Sequence, residues 1–569
     1  MSGREVVHGR FTGEAAHCGR IVGLSFVVRC DATRRSLRAA ISRRASRHGW
    51  RRYSSFVQHP PIHANPGDHA ERISAREADW RAGAVVYQVM VDRFAPSADF
   101  AAKRAHYSHP RRMRDWHETP AKGHFIPEAG VWSHEIDFWG GDLASVRAKL
   151  DHVQAIGANV LYLNPIHLAY TNHKYDAADY LEISPDYGTR ADLRMLIDEV
   201  HARGMRIVLD GVFNHVGRRH RFFEEAMRDV NSPYRSWFFI GSQYPNGYRG
   251  WADVANLPDL HVERDEVRGH LWLDPGSAVR SYLRDGIDGW RLDVASDIGP
   301  HFLRELSRSA HGEKPGSCVI GEIWNAPAGW DRSLDGILNM NARMIVLDYC
   351  SGRADGPTTA DRLRDMVDDA GIEFILRCWT TLENHDTERL AHLVPDAGIR
   401  RVAHTLQAVL PGCPNLYYGQ EIGAPGGADP ENRAPMRWDL VHDGFPEWEF
   451  MRGIYDARRH LRALAKGDVV FLRTKKLLAF LRTTDRALET CLIVVNMEST
   501  EVEETISVRD GRIMAGTTFK DAMEFDRGDA SHFHVQMGFA TIKMAAHSAR
   551  IFRVVPPTAG QHSPYKRMV

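Results

Sequence analysis

The stretch "GIDGWRLDVA", Gly286 to Ala295, decides how the chain is read. It has the apolar character of a buried strand, yet it carries Asp288, Arg291 and Asp293. Alternate residues of a strand face the same way. Arg291 and Asp293 therefore share one face, and Trp290 and Leu292 share the other. Taken alone, such a pair is a structural ion pair more often than not, because charges removed from water are paired. A functional reading needs support from elsewhere in the chain.

Seven further runs have strand character: "AVVYQVMVDRF" (84–94), "ANVLYLNPI" (158–166), "MRIVLDGVF" (205–213), "CVIGEIW" (318–324), "GILNMNA" (336–342), "FILRCWTTLENHD" (374–386) and "NLYYGQEIG" (415–423). Between several of them lie amphipathic stretches such as "ASVRAKLDHVQAIG" and "ADLRMLIDEVHARG", each closing on glycine, a helix stop. Strands alternating with helices imply parallel βαβ units. Eight such units predict an α/β protein, a (β/α)8 TIM barrel over 81–465. The aromatic-rich, irregular interval 214–258 predicts a small B lobe inserted after strand 3. From 466 to 556 shorter alternating strands predict a C-terminal antiparallel β-sandwich, with a tail at 557–569.

The 569 residues are 43% hydrophobic and 26% charged, with a formal net charge of zero, which gives no global electrostatic case for nucleic acid or membrane partners. No apolar run approaches the ~20 residues of a transmembrane helix. Seven cysteines without C-x-x-C pairs fit a reducing compartment, the cytoplasm, rather than a disulfide framework. Residues 1–80 read as a basic, disordered N-terminal extension. Its first sixty residues hold twelve arginines, no lysine and three acids. That composition suits a transit peptide, a basic arm or an upstream extension foreign to the natural product.

Polar groups gather at the C-terminal ends of the predicted strands: Asp210, Asn214 and His215 after the third, Arg291 and Asp293 on the fourth, Glu322 on the fifth, His385 and Asp386 on the seventh. That end of a barrel is where active sites lie. Three of the carboxylates converging there suit retaining glycoside hydrolysis: one attacks the anomeric carbon, a second serves as acid and then base, and a third favours the charged transition state.

The motifs "DGVFNH" (210–215), "GWRLDVA" (289–295), "GEIW" (321–324) and "ENHD" (383–386) resemble those of the α-amylase family, glycoside hydrolase family 13. "WGGDL" (139–143), "NHKYDAADY" (172–180), "LPDLH" (257–261) and "GQEIG" (419–423) support the match in family order across 83–556. The resemblance implies Asp293 as nucleophile, Glu322 as acid/base and Asp386 as transition-state stabiliser. It implies that Arg291 orients Asp293, with Asp210 supporting it, that His215 and His385 bond sugar hydroxyls, and that Tyr175 stacks beneath the sugar. Arg389, Asp429 and Arg433 fall in segments that often contact sugar, and Trp324 in one that often forms the next subsite. "SPDYG", "NHKYDAADY" and "PENRAPMRWD" are most similar to the neopullulanase, cyclomaltodextrinase and maltogenic amylase group, which acts on α-glucan oligosaccharides. Ser296 and Asp297 replace the Lys-His of typical α-amylases, and Asn172 stands where oligo-1,6-glucosidases carry aspartate. No cofactor or obligatory metal is expected; Asn214 alone matches a family calcium ligand. Alternatives on the same scaffold are an exo-acting α-glucosidase, a trehalose- or sucrose-type transglycosylase or isomerase, and a non-catalytic sugar-binding subunit.

Overall fold

The computed structural model describes residues 66–524, 529–556 and 565. Eight strands form the frame: β1 (Val86–Val89), β2 (Val160–Leu163), β3 (Arg206–Gly211), β4 (Gly289–Leu292), β5 (Cys318–Ile323), β6 (Gly336–Asn339), β7 (Trp379–Thr381) and β8 (Cys413–Tyr417). Each pairs in parallel with the next in sequence, and β1 pairs with β8 to close the barrel. Glycine sits where the strands crowd most. A Cβ on Gly289 would lie 2.3 Å from the carbonyl oxygen of Cys318.

The alternation of side chains explains where the chemistry sits. Outward residues such as Leu161, Leu209, Trp290 and Leu292 are fully buried against the surrounding helices. Inward residues fill the lower barrel with Val86, Val160, Val208, Ile320, Leu338 and Trp379. Two positions further along, the same inward rows turn polar: Gln88 on β1, Asp210 on β3, Glu322 on β5. Arg291, between Gly289 and Asp293, completes that polar layer from β4.

Three excursions build a rim above it. One spans the β1–β2 connection and holds two short ribbons, Arg112–Met113 with Asp137–Phe138 and Phe125–Ile126 with Val131–Trp132. The second is an antiparallel hairpin after β2, His167–Ala169 with Ala177–Ile183. The third follows β3 and includes a helix, Arg221–Arg228.

Beyond the barrel come β9 (Asp468–Phe471), β10 (Leu478–Thr483), β11 (Cys491–Asn496), β12 (Val502–Ser507), β13 (Thr518–Asp521), β14 (His532–His534), β15 (Phe539–Met544) and β16 (Ser548–Val554). A six-stranded sheet, β9-β10-β11-β16-β13-β14, faces the two-stranded sheet β12-β15. Leu481, Leu492, Val494 and Phe552 pack against Ile506 and Ile542 between them. The opposite face, with Phe480, Ile493, Val495 and Ile551, joins the barrel's own core.

The expectation of disorder over 1–80 needs correction for its last part. Pro66–Ala78 is an α-helix, α1. Ile73 and Arg76, one turn apart on a single face, are both buried, and Arg76 pairs with Glu373 (2.5 Å) and Asp468 (2.7 Å). The rest of that expectation, residues 1–65, lies outside the described residues, as does most of the tail. Tyr565 of the tail is buried, and its hydroxyl accepts from the Met514 N–H at 3.0 Å. Among the described residues no helix is long and apolar enough to cross a membrane.

Candidate active site

Arg291 lies at the centre of the polar layer and is fully buried. Its Nη1 donates to Asp210 (2.7 and 3.0 Å) and to Asp293 Oδ1 (3.1 Å), and its Nη2 lies 3.0 Å from Glu322 Oε2. One guanidinium thus ties together carboxylates from β3, the end of β4 and β5. Asp210 also accepts from the hydroxyls of Tyr162 (2.6 Å) and Tyr175 (2.8 Å), so it is saturated and faces away from the cleft.

Asp293 ends β4, and the next residue departs from ordinary geometry. Val294 has φ 47° and ψ 41°, in the left-handed region. For a β-branched residue this is a true outlier, costing on the order of 1–3 kcal/mol. The conformation aims the Val294 N–H at Glu322 Oε2 (3.0 Å), while Trp324 Nε1 donates to Glu322 Oε1 (2.9 Å). Both oxygens of Glu322 are therefore fixed.

The opposite wall comes from β7. Gln88 Nε2 donates to His385 Nδ1 (2.9 Å), which leaves the imidazole proton on Nε2. That nitrogen faces Tyr175 Oη (2.5 Å) and Asp386 Oδ2 (3.0 Å). The Tyr175 and His385 rings are parallel within 6°. Arg433 braces the pair, with Nε on the His385 carbonyl (2.8 Å) and Nη2 at 3.6 Å from Asp386. His215 lies beside Asp293 (Nε2 to Oδ2, 3.9 Å) under the Trp251 ring, and neither of its buried ring nitrogens makes a hydrogen bond among the described residues. Burial pushes its pKa down to about 3, so it meets the cleft as a neutral donor and acceptor.

Four carboxylates, Asp210, Asp293, Glu322 and Asp386, share this space with two guanidinium groups. Burial pushes Asp293 well above the usual carboxylate range, reinforced by Glu322, Asp210 and Asp386 and opposed by Arg291. Burial and then Glu322 push Asp386 up to about 7. Like charges this close cannot all ionise, so the cluster holds a proton near neutrality. A site with a fixed carboxylate pair and a retained proton can run acid and nucleophilic chemistry together.

The structure thus brings together Asp210, His215, Arg291, Asp293, Glu322, His385, Asp386 and Tyr175. Arg433 supports the group from behind. Arg389 is set apart: 1% exposed, it is consumed by Glu383 (2.9 Å) and the carbonyls of Tyr418 and Asn432, and its guanidinium stacks on Tyr417. Its Nε and Nη1 are thus spent on Glu383 and backbone carbonyls rather than on the carboxylate cluster. Asp429 pairs with Arg433 at 3.3 Å. Sequence reasoning missed Gln88, Tyr162 and Asn164, which donate to His385, Asp210 and Tyr175 respectively. Their signal was a polar or hydroxylated residue in otherwise apolar strand runs. Among the described residues no three His, Cys, Asp or Glu gather in a way that could hold a metal ion, and Asn214 has no such set around it.

A parallel barrel with a carboxylate pair, a third carboxylate and a buried arginine at its C-terminal mouth defines a glycosidase-type site. The family model described as alpha amylase, catalytic domain, matches residues 88–490, and the chain belongs to that family. Neopullulanase 2 of Thermoactinomyces vulgaris is 33% identical over 426 residues, 71% of this chain and 68% of its own. A cyclomaltodextrinase of Geobacillus thermopakistaniensis is 32% identical over 450 residues, 76% of this chain and 72% of its own. The solved cyclic alpha-maltosyl-(1→6)-maltose hydrolase from Arthrobacter globiformis, in complex with that cyclic sugar, superposes with TM-score 0.69 at 28% identity, covering 83% of this chain and 99% of that one.

Proposed function

We propose that the protein is a retaining α-glucan hydrolase that cleaves α-1,4 glucosidic bonds of maltooligosaccharides, cyclodextrins or related glucans. The likeness to the cyclic maltosyl-(1→6)-maltose hydrolase makes α-1,6 bonds a second candidate linkage. One observation carries the reading: Asp293 and Glu322 lie one guanidinium apart on Arg291. That spacing suits direct attack, for which retaining enzymes hold their two carboxylates about 5–5.5 Å apart.

Asp293 attacks the anomeric carbon while Glu322 gives its proton to the departing glycosidic oxygen. The glycosyl group is then an ester of Asp293. Glu322, now a carboxylate, takes a proton from water as that water attacks the same carbon, which releases Asp293 with the original configuration. Arg291 holds the nucleophile's charge. His385, neutral and locked by Gln88, offers its Nε2 proton beside Asp386, and together they hold sugar hydroxyls as positive charge develops on the ring. Tyr175 lies flat beside them as the platform for that ring. All of this uses side chains of this chain alone. The five described cysteines are free and buried, which supports a reducing, cytoplasmic setting.

The test is a product profile on maltotriose, β-cyclodextrin, pullulan, soluble starch and sucrose, with the first-formed anomer read by NMR and Asp293→Asn as control. Maltose or panose appearing first as the α-anomer supports the reading. The β-anomer first would overturn retention, and rearranged or longer products without new reducing ends would mean a transferase or isomerase.

A further inference from the structure

Two motifs of the sequence, "NHKYDAADY" (172–180) and "SPDYG" (184–188), meet in the structure at a pair of charges that the mechanism does not use. Lys174 and Asp186 are both buried. The Lys174 ammonium donates to the two oxygens of Asp186 (2.8 and 3.1 Å) and lies over the rings of Tyr187 (4.7 Å) and Phe138 (5.1 Å). Asp186 also accepts from Ser184 Oγ (2.5 Å) and Tyr107 Oη (3.4 Å), and its carbonyl accepts from Lys103 Nζ (2.6 Å). The ammonium thus sits in a cage of two aromatic faces and one anchored carboxylate. Exchanging a buried ion pair for apolar packing is often neutral or stabilising, so stability alone does not account for this one.

The backbone points to what the pair does. Lys174 has φ 63°, in the left-handed region that suits glycine and is costly for a residue with a Cβ. The strain falls one residue before Tyr175. The turn is tied on either side of it. The Thr171 hydroxyl and N–H both donate to Asp176 Oδ1, and the Tyr187 hydroxyl donates to the Asn172 carbonyl (3.2 Å). Between those ties Lys174 enters the cage, while Tyr175 enters the active site. There its hydroxyl donates to Asp210 (2.8 Å) and accepts from Asn164 (2.9 Å), and its ring lies parallel to that of His385. Without the cage, residue 174 would relax out of the left-handed region and carry Tyr175 with it.

We infer that Lys174 and Asp186 are positioning residues for catalysis: their buried pair holds the strained turn that delivers the Tyr175 ring and hydroxyl to Asp210 and His385. The inference rests on the hydrolase reading given above. Both residues act through Tyr175, which fixes the form of the test.

The experiment is a double-mutant cycle on the full chain. It reads kcat and KM on maltotriose, with the melting temperature confirming that each variant is folded. Lys174→Met keeps the length of the side chain and removes its charge. It is expected to lower kcat about thirty-fold and to change KM by about three-fold or less, because a displaced Tyr175 fails the transition state more than the bound substrate. In a Tyr175→Ala background, itself slow, the same change should cost about two-fold or less, because the ring it positions is gone. Asp186→Asn, nearly isosteric, should follow the same pattern with a loss of about ten-fold, and it decides the matter if Lys174→Met fails to fold. Equal losses in the two backgrounds would mean a general structural role and overturn the inference. Wild-type kcat in Lys174→Met would do the same, and both results would leave the hydrolase intact. No turnover of any glucan by the wild type would instead remove the hydrolase reading, and this inference with it.

Discussion

The two ends of the barrel use the same residue types to opposite effect. At the N-terminal end buried arginines are surrounded by acceptors. Arg458 donates to the carbonyls of Ala408, Leu464, Gly83 and Gly412, and Arg482 to those of Val409, Gly467 and Asp468. Nearby, Asp468 is held below the usual carboxylate range: against burial, which pushes it up, stand His69, Arg76 and Arg72. At the C-terminal mouth four carboxylates compete for two guanidinium groups, and burial pushes Asp293 and Asp386 up. One end spreads its buried guanidinium groups over backbone carbonyls, although burial holds Arg458 and Arg482 below the usual arginine range, and it holds α1, the barrel and the C-terminal sheet together. The other retains poor electrostatics, and a left-handed valine, for the sake of a reaction. Stability and activity should therefore respond to substitution at opposite ends of the barrel.

The sharpest break in that contrast is Asp293→Asn. Turnover should fall about 10⁴-fold or more while the melting temperature holds or rises. Arg458→Met should do the reverse: about 3 kcal/mol of stability lost in denaturant titration, because four carbonyls lose a charged donor, with kcat of the folded fraction unchanged. Asp386→Asn should abolish activity and stabilise the protein at pH 8 by on the order of 2 kcal/mol. The sign follows from the raised pKa: the folded carboxyl binds its proton more tightly than the unfolded one, so stability falls as pH rises from about 4 to 7. At pH 4 the variant's advantage should vanish. Asp468→Asn should show the opposite dependence and the smallest effect, about 1 kcal/mol. Its folded pKa is depressed, so its contribution is present above the unfolded value and is lost as pH falls below it. The variant should be weaker at pH 7 and equal to the wild type in acid.

How much of this was legible in the sequence follows the range of the interactions. All eight barrel strands stood out as apolar runs, and the inward position of Arg291 beside Asp293 followed from alternation alone. Where a run was apolar throughout, helix and strand could not be told apart. "FILRCWTTLENHD" (374–386) opens on the last two residues of a helix, Ile372–Ile375, before the strand Trp379–Thr381. The carboxylates and histidines of the mouth were legible because they end strands. Partners distant in sequence were not. Gln88 meets His385 across 297 positions, and Arg389 turns away to Glu383, which its position in the chain does not reveal. Asn172 was visible as a departure from a motif, but its donation to the His134 and Asp137 carbonyls exists only once the β1–β2 segment is folded against it. Helix α1 was hidden by the basic composition upstream.

The account's central claim is that Asp293 is the nucleophile of a two-step displacement, and trapping the intermediate tests it most directly. The protein would be incubated with a slowly hydrolysed fluorinated α-glucosyl fluoride, measured by intact mass, then digested and sequenced by mass spectrometry. The account predicts one added glycosyl group, carried by Asp293. A label on Glu322 or Asp386 would contradict it, as would steady turnover of the same reagent by Asp293→Asn.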